Sequence, residues 1–135
     1  MPEDWKRKIF KTDGSRRKVL LYNTSLVQLL QGNAQVLRKI RSVFEQMKNR
    51  ADAVLLWRPH PLSETAYAAM RPQFMKEYRG IVEQYRSEDW GIYDDTPDLH
   101  RAIALSDAYY GDWSSLVELY RITGKPVMIQ NLQII

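Results

Sequence analysis

Apolar residues along this chain of 135 alternate between two rhythms. Short apolar, β-rich runs fall at 18–22 (Lys-Val-Leu-Leu-Tyr), 53–57 (Ala-Val-Leu-Leu-Trp), 91–93 (Gly-Ile-Tyr), 108–110 (Ala-Tyr-Tyr) and 126–129 (Pro-Val-Met-Ile). The run at 53–57 is too short for a helix and continuous enough for a strand buried on both faces. Between the runs the spacing is that of amphipathic helices. Val36, Leu37, Ile40, Val43, Phe44 and Met47 recur three and four apart, and Phe74, Met75, Tyr78, Ile81, Val82 and Tyr85 repeat the pattern. Gly32-Asn33 offers an N-cap to the first helix. Ser63 can cap a helix beginning at Glu64, which Pro72 either interrupts or follows with a second helix. Thr96-Pro97-Asp98 reads as a cap, a proline at the first helical position and an acid in the first turn, ahead of a helix over 99–105. A last helix covers 114–122 and ends at Thr123-Gly124.

The order β-α-β-α-β-α-β-α-β predicts an α/β fold: a Rossmann-like three-layer sandwich with a parallel sheet of about five strands and right-handed crossovers. Ligands of such sheets bind outside the carboxyl ends of the strands. The strand ends here are Asn23-Thr24-Ser25, Arg58-Pro59-His60, Asp94-Asp95-Thr96 and Gly111-Asp112-Trp113-Ser114. Chemically capable residues therefore gather on the edge where the topology places a ligand.

Composition narrows the picture. The chain is 44% hydrophobic and 27% charged, ordinary globular material of single-domain length. It has no cysteine, which removes disulfides, Cys-zinc sites and thiol nucleophiles and fits a cytoplasmic location. No apolar run approaches the roughly 20 residues of a membrane span. The formal charge of +4 is local: residues 1–18 hold seven Lys/Arg against three acids, and the rest is balanced at thirteen of each. Residues 1–17 read as a basic, solvated leader or linker and residues 18–135 as the folded domain. The leader could also be drawn to an anionic polymer or to the inner face of a membrane. A neutral body argues against nucleic acid as a partner.

The richest stretch is residues 106–116. A short strand leads to Gly111, then to Ser114 and Ser115 at a helix start, where free N–H groups and the dipole favour an anion. Gly111 lets backbone approach a ligand, and Asp112 can orient a ribose or serve as a turn residue. Asn23 and Thr24 end the first strand beside the expected switch point. Arg58 can grip a phosphate or pair with Asp94 or Asp95. His60 is restricted by a proline on each side, as a positioned side chain requires. Asp94 and Asp95 can act as paired carboxylates, and Asp95 and Thr96 stand at the third strand's end. No metal site is assigned. His100 reads as a surface residue, and Tyr109, Tyr110 and Trp113 as packing, with one ring available to stack on a base. The absence of G-x-G-x-x-G, a P-loop, G-x-S-x-G and H-E-x-x-H disfavours NAD redox chemistry, P-loop hydrolysis and zinc peptidase chemistry.

Arg58-Pro59-His60-Pro61, together with Ser106-Asp107 leading to Gly111-Asp112-Trp113-Ser114-Ser115, resembles the C-terminal half of the CDP-glycerol glycerophosphotransferases. These are teichoic-acid-type enzymes of the two-domain GT-B fold. Trp113 stands where that family usually has tyrosine, Lys125-Pro126-Val127 also fits, and Asn23-Thr24-Ser25 departs from the family's turn. The resemblance implies a donor-binding domain for CDP-glycerol or another nucleotide-activated donor, with no further cofactor. It implies transfer of glycerol phosphate to a hydroxyl acceptor in cell-wall or surface-polymer synthesis, with release of CMP. His60 and Arg58 would face the pyrophosphate, and Ser114 and Ser115 would hold phosphate. Gly111, Asp112, Asn23, Thr24, Asp95 and Thr96 would complete the donor site. It also implies an acceptor domain that this chain lacks, so the chain alone would bind donor weakly and not turn over. Two readings compete: a nucleotide-sugar domain of a GT-B glycosyltransferase, and a non-catalytic Rossmann-like interaction module.

Overall fold

The computed structural model describes residues 2–31 and 33–129. Five parallel strands form one sheet: β1 (Lys18–Thr24), β2 (Ala53–Pro59), β3 (Ile92–Tyr93), β4 (Ala108–Gly111) and β5 (Val127–Ile129). Their order is β3-β2-β1-β4-β5. The chain steps outward from β1 through β2 to β3, then returns to the other side of β1 for β4 and β5. Helices α1 (Glu3–Ile9), α2 (Leu26–Gln31), α3 (Asn33–Met47), α4 (Ser63–Met70), α5 (Pro72–Glu88), α6 (Leu99–Leu105) and α7 (Ser115–Arg121) complete the described elements. The Rossmann-like three-layer sandwich read from the sequence is the fold observed.

Alternation along each strand sends successive side chains to opposite faces. Tyr22, Leu55 and Trp57 face α3 and α5, where Leu37, Ile40, Phe44, Tyr78 and Tyr85 bury them. The Trp57 ring meets Phe44, Tyr85 and Tyr93 edge-on, at centroid distances of 5.1, 5.3 and 5.5 Å. Such geometry sets the positive ring edge against a negative face. Val19, Leu21, Val54, Leu56 and Tyr109 point the other way, against Ile103, Val117 and Tyr120 of α6 and α7.

Local signals explain most boundaries. Pro72 opens α5, having no N–H to lose there. Asp98 rather than Thr96 caps α6, accepting from Arg101 N, so Pro97 lies before the helix and not within it. Ser63 is the first residue of α4, and Leu62 takes the cap position with no side-chain bond. The cap expected at Gly32-Asn33 lies outside the described residues and side chains. β1 and β2 each run two residues beyond their apolar runs, because Asn23, Thr24, Arg58 and Pro59 keep the parallel register.

The solvated leader expected over residues 1–17 needs correction. Glu3–Ile9 is helical, and Trp5 and Ile9 are 4% and 1% exposed within the core beneath α6. Arg101 lays its guanidinium 4.4 Å from the Trp5 ring centroid, and Lys8 and Arg7 both reach Asp89, at 2.7 and 2.8 Å. Lys8, then Arg7, hold the Asp89 carboxyl below its ordinary range. Arg16 pairs with Asp107 at 2.8 Å. Charged residues disguised the segment, because only two apolar side chains of the helix, Trp5 and Ile9, are buried. Trp5→Ala should cost about 3–4 kcal/mol, the range for emptying a buried aromatic site. Urea unfolding of the two proteins measures it.

Candidate functional site

The strand order reverses between β1 and β4, and an open parallel sheet leaves its ligand crevice there. In this protein that crevice is laced shut. Asn23 Nδ2 donates to Tyr109 Oη at 3.0 Å and to Ser114 Oγ at 3.2 Å. The Tyr109 hydroxyl donates to the Asp112 carbonyl at 2.6 Å. Asp112 N donates to the Asn23 carbonyl, and Asp112 Oδ2 accepts from Ser25 N at 2.8 Å. Burial above all pushes the Tyr109 phenol up to about 12, so it remains a proton donor. Ser114 Oγ caps α7 through Leu116 N. Thr24 is fully buried, its Oγ1 accepting from Trp57 Nε1 at 3.2 Å. Ser115 is exposed at the start of α7. Gly111, at φ +150°, sits so close to the Asn23 carbonyl that no Cβ fits. The structure thus brings Asn23, Gly111, Asp112 and Ser114 together, bound to one another.

Arg58 is likewise engaged. Its Nη1 donates to Asp94 Oδ2 at 2.8 Å, with side-chain exposures of 12% and 0%. Asp94 Oδ1 accepts from Thr96 N and Oγ1, and Thr96 Oγ1 accepts from Arg101 Nη2. This is the salt bridge that the sequence offered as the alternative to phosphate binding. Removing one member of a buried pair strands the other charge. Asp94→Ala should therefore lose about 3 kcal/mol. Replacing both partners with apolar residues (Arg58→Met with Asp94→Leu) should recover most of it, as denaturant titration of both variants will show.

One strand further out, the carboxyl edge opens. A polar cavity of about 330 Å³ lies at the ends of β2 and β3, bordered by His60, Ser63, Tyr78, Arg86, Tyr93 and Asp95. The turn at its mouth is rigid. Ser63 N donates to the His60 carbonyl, and Leu62 N donates to His60 Nδ1 at 3.1 Å. An imidazole nitrogen that accepts carries no proton, so neutral His60 holds its proton on Nε2 and offers it as a donor. The N–H groups of Glu64 and Thr65 have no capping side chain. A helix start of this kind favours negative charge. Ser63 is 2% exposed, and its Oγ makes no hydrogen bond of good geometry. Its neighbour is the Tyr78 phenol, which burial drives well up and the Ser63 hydroxyl only partly draws back. Arg86 stacks its guanidinium 4.9 Å from the Tyr93 ring centroid. Burial, then Asp95, raises the Tyr93 phenol while Arg86 lowers it. Glu64 also borders the cavity, so two carboxylates face the cation and the imidazole.

His60 and Asp95 thus share this cavity, while Gly111, Asp112 and Ser114 belong to β4's end. The intervening strand β1 separates β2 from β4 by about 10 Å in the sheet. Thr96 turns away to serve Asp94 and Arg101. The Tyr110 ring lies on Tyr22 at 5.7 Å, and Trp113 is half-exposed beneath Arg121. His100 is exposed. Sequence reasoning passed over Ser63, Tyr78 and Arg86. Tyr78 and Arg86 sit on α5 within its helical spacing, and only the fold brings that face of α5 to the His60 turn.

Among the described residues no three His, Cys, Asp or Glu side chains gather as a metal site. No helix among them is long and apolar enough to cross a membrane. The fold and cavity define an α/β domain with a polar cavity at the carboxyl edge of a parallel sheet. No family model, curated protein or solved structure matches the chain.

Proposed function

We propose that this chain is a donor-binding domain of a transferase that uses a nucleotide-activated alcohol, CDP-glycerol first among them. The observation that carries the reading is the edge cavity. There an uncapped helix start, His60 Nε2–H, the Ser63 and Tyr78 hydroxyls and Arg86 converge as donors around a space of about 330 Å³. A diphosphate is the ligand that uses such donors together. Asp95 and Glu64 then accept from hydroxyls of the glycerol or ribose. In the transfer, an acceptor hydroxyl oxygen attacks the phosphorus bearing glycerol, and the bond from that phosphorus to the CMP oxygen breaks. The hydroxyl proton leaves to a base outside the residues assigned here. CMP departs carrying negative charge, which His60 and Arg86 stabilise. Arg58 holds Asp94 and, through it, the β3 end that carries Asp95; it acts as a positioning residue.

The closed switch-point crevice favours a second reading, a Rossmann-like interaction module whose strand-end residues only hold the fold. Titration of the chain with CDP-glycerol, CMP, UDP-N-acetylglucosamine and UMP at low salt, followed by amide NMR, decides between them. Cytidine-selective shifts around His60, Ser63 and Arg86 are the expected result. Uridine-selective shifts there would move the reading to a sugar-nucleotide domain. Shifts confined to residues around Ser114 would relocate the site to β4. No binding by any of the four favours the module.

A further inference from the structure

A second feature lies on the opposite side of β1 and is independent of the nucleotide reading. α7 covers one face of β4 and β5, burying Tyr109 and packing against Val127 and Ile129. On the other face α3 packs against β2, and among the described residues no other helix lines the space beyond it. Beyond it Leu20, Ala108, Tyr110 and Met128 form a floor, with Val43 and Met47 of α3 as the wall. Tyr110 pairs in register with Met128, which is 66% exposed. Two adjoining cavities of about 390 and 410 Å³ share Leu20, Met47, Arg50, Ala108 and Pro126, so the trough is continuous. Two strands are about 10 Å wide. One α-helix with its side chains is about 10–12 Å across. The strip that the described residues leave uncovered therefore has the width of a single helix, and a three-layer sandwich wants one there.

The rim states the chemistry of that helix. Along the trough α3 presents Lys39, Val43, Gln46 and Met47, and Arg50 follows just beyond the helix, with no acid among them. Lys39 Nζ hangs 5.6 Å from the Tyr110 ring centroid and has no ion pair among the described residues; nor has Lys18 at the far end. The nearby carboxylates are already engaged, Asp52 by Arg50 and Asp107 by Arg16. We infer that this trough docks an amphipathic helix of a partner polypeptide whose apolar stripe is flanked by carboxylates. A concave strip one helix wide suits a rod better than a flat bilayer, and its two lysines, without an ion pair among the described residues, select acidic flanks.

The test uses two synthetic 18-residue helical peptides with the same leucine stripe, one flanked by glutamates and one by lysines. Each is titrated into the isotope-labelled chain. The Glu-flanked peptide should bind at least ten-fold more tightly and shift the amides of Leu20, Ala108, Tyr110 and Met128. Lys18→Glu with Lys39→Glu should reverse the preference between peptides. Met128→Asp, at an exposed position, should weaken both peptides while the amide spectrum stays folded. Equal binding, no binding, or shifts elsewhere would overturn the inference. So would self-association that Met128→Asp abolishes in sedimentation, which assigns the trough to a second copy. Binding of anionic lipid vesicles through the same residues would assign it to a membrane and overturn the inference too.

Discussion

Gly111→Ala should destabilise the fold by about 4 kcal/mol, the sum of a strained backbone conformation and an overpacked contact. Its φ of +150° is one that L side chains rarely adopt. A methyl group there would also overlap the Asn23 carbonyl and crowd its amide. Both obstacles are backbone of the neighbouring strand, so no rotamer change relieves them. Relief requires β1 and β4 to part, and the bonds Asp112 N to Asn23 O and Ser25 N to Asp112 Oδ2 would go with them. Against a typical total of about 5–15 kcal/mol, the variant keeps little margin. Thermal unfolding measures the loss. A near-normal midpoint would mean that the β1–β4 junction is looser than these contacts describe.

His60 carries the second large effect, and its two nitrogens can be separated. Nδ1 serves the turn by accepting from Leu62 N, which leaves Nε2 as the donor of the neutral ring that borders the cavity. Asparagine places an acceptor oxygen where Nδ1 stands and keeps the turn, since Asn commonly bonds the backbone two residues on. Glutamine carries an amide donor further out, near the place of Nε2. His60→Asn should fold normally yet lose donor binding at least ten-fold. His60→Gln should lose about 1 kcal/mol of stability, one turn hydrogen bond, yet retain more of the binding. His60→Ala should lose both. Calorimetric titration with CDP-glycerol, beside denaturant unfolding of each variant, reads the two effects apart. If Asn and Gln behave alike in binding, His60 serves the turn alone.

Most of the fold was legible because its signals are local. Five apolar runs and the helical spacing between them fix a parallel α/β order, and Pro72 marks the break between α4 and α5. The site was less legible, for reasons of range. Arg58 and Asp94 are 36 residues apart, and a string of letters does not tell whether an arginine at a strand end faces a ligand or a neighbouring carboxylate. Ser114 and Asn23 lie 91 apart and each reads as a polar strand end, but their mutual bond ties Ser114 to the fold. Tyr78 and Arg86 read as two more positions of an amphipathic helix. α1 escaped notice because two buried apolar side chains among seven helical residues make no visible stripe when charged residues fill the rest.

That helix bears on the order in which the chain assembles. Its partners are distant: Arg7 and Lys8 meet Asp89, 82 positions later for the arginine, and Trp5 meets Arg101. During synthesis at roughly 5–20 residues per second, α1 leaves the ribosome many seconds before α6 exists. Seven residues are too few to hold a helix alone in water. Trp5 and Ile9 can rest on β1 and β2 as these form, but their cover is complete only when α6 has formed. A helix made early thus settles late, and the sheet's second face closes only when α6 and α7 have arrived.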